Sequence, residues 1–141
     1  MMAVIKYTSK ERDLLARLMR AEAIGEGDLG MLMVGNVGVN RVLANCLTFK
    51  NIRTITNMIY QDPGGFSGKD SPLFFSNPST AIQRLADRVI KGEYYHPATH
   101  ALCFMLQKRV KHADKHGGNK NYLEDIKGTV FIDQMKMFAQ N

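Results

Sequence analysis

Glu22 is the residue whose type and spacing most invite acid–base chemistry. It stands in the stretch Arg20-Ala21-Glu22-Ala23-Ile24-Gly25-Glu26-Gly27. Thr8 followed by Glu11 is a capping-box pattern, so a helix is predicted to open near Ser9. Leu14, Leu15, Leu18 and Met19 share one stripe of that helix, and Glu22 falls on the same stripe. Gly25 is the expected terminator, in the left-handed conformation. Glu22 then projects inward from the last helical turn. A carboxylate in apolar surroundings resists ionisation, keeps its proton closer to neutrality and can serve as a general acid. The competing reading is a glutamate at the rim of the apolar face, reaching water or pairing with Arg20 or Arg41. Glu26 is the nearest second carboxylate, but it lies beyond Gly25 and need not face the same way.

The elements that must position Glu22 follow from periodicity. A second helix is expected over 29–43. It is apolar on nearly every side, through Met31, Leu32, Met33, Val34, Val37, Val39 and Val42, so it should be the buried central helix. Gly35 and Gly38 weaken it by about 1 kcal/mol each against Ala, which implies close approach by another backbone. Asn36 and Asn40 share one polar face, and buried amides need partners. They either line the cleft that Glu22 enters or cap neighbouring loops from within the core.

A third helix is expected over 51–60, followed by the loop Gln61-Asp62-Pro63-Gly64-Gly65-Phe66-Ser67-Gly68. Phe66 is either a wall for a sugar face or an anchor pinning that loop. Asn77-Pro78-Ser79 marks a fourth helix start, with Pro78 near the first helical position and Gly92 at the end. Ile82, Leu85, Ala86, Val89 and Ile90 give it a full apolar stripe. Strands are expected over 101–105 and 128–132, able to pair. The fold class is α+β, mainly α: about four helices forming a core, with a small C-terminal β-sheet, in one domain spanning 1–141.

Composition narrows the partners. The apolar fraction of 45% and charged fraction of 23% over 141 residues fit one globular domain with a real core. No apolar run is long enough to span a membrane. The opening residues have too short an apolar core for a signal peptide, so synthesis in the cytoplasm is expected. A net charge of +6 suits an anionic polymer. No nucleic-acid-binding motif accompanies it, so nucleic acid is not the expected partner. The cations from Lys108 to Lys120 read as a solvated loop, or as a contact with an anionic wall polymer. His112, Asp114 and His116 alternate, and His96 and His100 are four apart, but neither set makes a convincing ligand group, so neither metal nor other cofactor is expected. Cys46 and Cys103 have no CxxC partner and read as reduced thiols.

Three ordered stretches carry a family resemblance. Ala21-Glu22-Ala23 with Gly25-Glu26 comes first, then Gly35-Asn36-Val37 with Val39-Asn40-Arg41-Val42. Ile59-Tyr60-Gln61, with the Gly-rich turn to Phe66-Ser67, comes third. Together they resemble the SleB/CwlJ family of cell-wall hydrolases, on its CwlJ side, which act on spore cortex peptidoglycan during germination. The resemblance implies a lysozyme- or transglycosylase-like helical core, with Glu22 as the catalytic glutamate. It also implies cortex peptidoglycan as substrate, and a spore coat or cortex location reached through a coat protein.

Glycosidases commonly use two carboxylates. A single acid suffices where the muramyl C6 hydroxyl is the nucleophile, as in lytic transglycosylases. Either transglycosylation or hydrolysis fits. Glu26, Asn36, Asn40, Tyr60, Phe66 and Ser67 are the candidate substrate contacts. Two departures from the family stand out: Gly65 replaces the usual Gln before Phe66, and Thr129 stands where a His is usual. They motivate the alternative of a non-catalytic coat or wall-binding protein that retains the family core.

Overall fold

Thr8 opens the first helix, α1 (Ser9–Ala23), through a reciprocal cap: its hydroxyl accepts from the Glu11 amide at 3.1 Å, and its own amide donates to Glu11 Oε1 at 3.2 Å. In this computed structural model the described residues are 2–44, 49–62, 65–106, 112–113, 119–120, 129–132 and 135–139, with those from 103 onward described by their backbone. Cys46, the side chain of Cys103, the cations of the 108–120 run and its His–Asp–His pattern lie outside the described side chains.

The stop signal of α1 is not Gly25. That residue lies within a 3-10 turn, Ile24–Glu26, and the left-handed backbone belongs to Gly27, at φ 73°. The chain tightens after Ala23 and reverses two residues later than the sequence implies. The second helix, α2 (Gly27–Ala44), starts directly there. Its buried residues run from Gly30 through Val39 without a break, as expected of a central helix. Gly35 and Gly38 allow close approach by side chains rather than by a backbone. A Cβ at Gly35 would meet Val89 at 2.9 Å, and one at Gly38 would meet Met58 at 2.9 Å.

The third helix is far shorter than the pattern implies. It is the single stretch α3 (Ile55–Ile59), because the Thr54 hydroxyl caps it by accepting from the Asn57 amide. The threonine that weakens a helix interior instead starts one. The fourth, α4 (Thr80–Ile90), is capped by Ser79, so Pro78 sits before the cap rather than inside the first turn. Lys91 caps its end, and Gly92 follows at φ 94°.

Helices α1, α2 and α4 pack on one another around Leu15, Leu18, Met19, Met33, Val34, Val37 and Ile90. Arg12 ties α1 to Asp87 of α4 at 3.1 Å. Arg20 clasps the segment after the loop. Its guanidinium donates to the carbonyls of Leu73 (2.5 Å), Ser76 (2.6 Å) and Asn77 (3.1 Å).

Strand β1 (Ala101–Leu106) follows. Short β2 (His112–Ala113) pairs with β3 (Asn119–Lys120). Strand β4 (Thr129–Ile132) and β5 (Met135–Ala139) complete a sheet of order β1-β5-β4. The two strands read as able to pair are not neighbours: β5 lies between them, antiparallel to both. The described residues are mainly helical, and none of their helices is long and apolar enough to cross a membrane.

Candidate active site

Glu22 emerges from the last turn of α1, half-buried. Its Oε1 accepts one hydrogen bond, from the Gly68 amide at 2.6 Å. Gly68 opens the 3-10 turn Ser67–Asp70 one residue in, where a backbone N–H has no partner inside the turn. The approach is close: a Cβ at position 68 would fall 2.7 Å from Glu22 Oε1, so any larger residue there displaces the carboxyl or the turn. Oε2 meets no donor among the described residues, so it is the oxygen available to carry a proton.

The Glu22 pKa is raised above the ordinary carboxylate value. Burial is the largest cause, and the Gly68 hydrogen bond and the positive charge of Arg41 pull against it. Neither ion-pair partner of the competing reading neutralises Glu22 in contact. Arg20 is occupied with carbonyls. Arg41 acts on Glu22 through its field and forms its own shelf.

That shelf is buried, with Arg41 only 5% exposed. Its Nε donates to the Leu102 carbonyl at 2.7 Å. Its guanidinium lies 4.2 Å from the ring centre of Phe66 and 5.1 Å from that of Phe49. Phe66 is thus an anchor, as one of its two readings held. By stacking on Arg41 it fixes the start of the turn whose Gly68 amide holds Glu22.

The other predicted residues scatter. Ser67 is exposed and adjoins Gly68 in the chain. Glu26 lies in the 3-10 turn after α1, half-buried, with no hydrogen bond or ion pair to any described residue. Asn36, fully buried, donates to the Glu93 carbonyl at 2.7 Å and accepts from the Tyr95 amide at 2.9 Å. Asn40 donates to the carbonyls of Ala98, Thr99 and Ala101. Both amides therefore hold the 93–101 segment onto α2. The loop-capping reading describes this geometry, and the cleft reading does not.

Tyr60 is 51% exposed and lines a cleft of about 450 Å³ with Thr8, Lys10, Glu11, Thr54 and Thr56. That cleft lies toward the N-terminal end of α1, whereas Glu22 lies at the C-terminal end. At Gly65, a Cβ would fall 2.0 Å from the Gln61 carbonyl. The turn has no room there for the glutamine usual in the family.

Two participants escaped sequence reasoning. Gly68 acts through its backbone amide, which side-chain patterns do not display. Its only trace was an extra glycine in an already Gly-rich loop. Glu11 was read as a cap alone, yet its Oε2 also accepts from the Thr56 amide at 3.1 Å and the Thr56 hydroxyl at 2.9 Å. Glu11 and Glu22 are eleven residues apart, so they lie on one face of α1, about 16 Å apart along its axis. Between them they hold both ends of the 56–68 segment against the helix. Among the described residues no three His, Cys, Asp or Glu side chains are grouped to hold a metal ion.

Sequence comparison gives a consistent result. A family described as Cell Wall Hydrolase matches residues 25–132, a span that opens just past Glu22 and includes Arg41, Phe66 and Gly68. Three similar proteins are each named cell wall hydrolase CwlJ. That of Oceanobacillus iheyensis is 59% identical over 105 residues, 74% of each chain. That of Halalkalibacterium halodurans is 54% identical over 103 residues, 73% of this chain and 72% of the relative. That of Bacillus subtilis is 50% identical over the same length and shares. No solved structure matches.

Proposed function

Because the chain belongs to the cell wall hydrolase family, we propose that it cleaves the glycan strands of spore cortex peptidoglycan during germination, with Glu22 as the general acid. The observation that carries this reading is the carboxyl group of Glu22: half-buried, raised in pKa, held through Oε1 by Gly68, with Oε2 meeting no donor among the described residues. A carboxyl that keeps its proton nearer neutrality can protonate a leaving oxygen.

In this reading Glu22 Oε2 gives its proton to the bridging glycosidic oxygen, and the bond from that oxygen to the sugar C1 breaks. The carboxylate left behind then takes a proton from the muramyl C6 hydroxyl, whose oxygen closes on C1 to give a 1,6-anhydro sugar. If water supplies the oxygen instead, the product is a reducing sugar. Arg41 holds a fixed positive charge near the carboxylate formed after the first transfer, which favours that state. Glu26 is the candidate second carboxylate of the hydrolytic version, and exposed Ser67 is a polar contact beside the site. The protein reaches its layer through a spore coat protein in this reading.

The test is mass spectrometry of muropeptides released from purified cortex by the wild-type chain and by Glu22→Gln, with thermal melting as the folding control. Wild type should release soluble fragments, and the anhydro and hydrated products differ by one water. Glu22→Gln should fold and release almost nothing. Equal release by the two would end the assignment. Cortex binding without release by wild type would favour the coat or wall-binding alternative.

A further inference from the structure

The cleft at the N-terminal end of α1, away from Glu22 along the helix, is furnished for a ligand. Its volume is about 450 Å³, within the usual range for small-molecule sites. Lys10 stands at its edge, exposed, with no ion pair or hydrogen bond to any described residue. Lys10 also sits in the first turn of α1, where the helix dipole favours anions and disfavours a cation.

The surrounding hydroxyls are half used. Those of Thr8 and Thr54 accept from cap amides, which leaves their protons free to donate. That of Thr56 donates to Glu11, which leaves lone pairs free to accept. Tyr60 adds an aromatic ring. It meets Phe74 edge-to-face at 6.4 Å, and Phe74 meets Phe75 in the same way at 5.8 Å, with Phe75 itself 70% exposed.

We propose that this cleft is a distal subsite for the same glycan strand, in which Tyr60 receives a sugar ring and Lys10 the carboxylate carried by a muramyl residue or its peptide. The proposal rests on the reading of Glu22 as the site of glycan cleavage. A ring face, hydroxyl donors and acceptors, and the Lys10 ammonium match an amphipathic sugar bearing an acid, while the cleft's carboxylate, Glu11, is engaged by Thr8 and Thr56. The spacing also fits. Glu11 in the cleft wall and Glu22 lie on one face of α1, about 16 Å apart along its axis, so only a strand of several sugars reaches both.

Binding tests this independently of cleavage. The full chain carrying Glu22→Gln is titrated with purified glycan strands, from the disaccharide up to lengths that exceed the spacing. Affinity should rise once a strand spans both sites. Adding Tyr60→Ala or Lys10→Ala should abolish that rise. Losing one charge-assisted hydrogen bond corresponds to about tenfold in affinity. Lys10→Arg should restore it, and exposed Lys10 can be replaced without disturbing the core. Inorganic phosphate should compete poorly, because it offers no ring to Tyr60.

No rise with length, or a rise that survives both substitutions, overturns the proposal. Cleavage by wild type is measured separately. Cleavage without length-dependent binding defeats the subsite and leaves the acid. Length-dependent binding through Tyr60 and Lys10 without cleavage supports the subsite and defeats the acid.

Discussion

The two ends of α1 carry the same side chain on the same face and put it to opposite uses. Glu11 sits at the N-terminal end, where the dipole stabilises its charge, and accepts from three donors on two elements. Glu22 sits at the C-terminal end, where the dipole opposes its charge, half-buried, and among the described residues it accepts from one donor. Hydrogen bonds to the charged form favour it, and burial disfavours it. The pair shows that donor count and helix polarity, more than residue type, separate a structural carboxylate from one able to release a proton.

The sharpest way to break this contrast is to remove each acid in turn. Glu22→Gln should lower glycan cleavage about 10²–10⁴-fold, the range for a lost general acid, while the melting temperature stays close to wild type. Gly68→Ala comes next. The new methyl collides with Glu22 Oε1, so the carboxyl must move or the turn must open. A displacement of about 1 Å costs about 10²-fold, read as turnover on cortex fragments at unchanged cortex binding.

Glu11→Ala should reverse the pattern. Loss of the cap and of the Thr56 bonds should cost about 1–2 kcal/mol of stability, seen in denaturant unfolding, with cleavage reduced less than tenfold. A larger catalytic loss at Glu11 than at Glu22 would invert the assignment.

The smallest effect is a shift in pH dependence. The charge of Arg41 holds the Glu22 pKa down, so Arg41→Met should raise it further. A general acid works protonated, so the alkaline fall in activity should move to higher pH. Arg41→Lys, which keeps the charge, should move it less. A limb that stays in place in the Met variant would deny Arg41 any influence on the acid.

The helix that carries both acids was legible in the sequence, because capping boxes and apolar stripes are local. So was the burial of Glu22, which follows from its step of four from Leu18. What was not legible depends on distant chain. Asn36 and Asn40 had two open readings until the 93–101 backbone arrived beside them. Gly25 and Gly27 are equivalent on paper, and only the tightened turn after Ala23 chose between them. Strand β5 hid behind Met135, Lys136, Met137 and Ala139, all good helix formers, and so the strand between the two expected ones went unread. The Gly68 amide shows the general limit: a backbone donor has no letter of its own.

The clasp of Arg20 on the 73–77 segment has a consequence for proteolysis. Phe75 is an exposed aromatic in a short surface segment, an inviting bond for chymotrypsin. A protease must draw its substrate into an extended strand and pair with its carbonyls. Those of Leu73, Ser76 and Asn77 are already held by a guanidinium rooted in the core. The bond after Phe75 should therefore be cut only when α1 itself lets go, so its cleavage rate reports the opening of the whole helical core rather than the looseness of a surface loop.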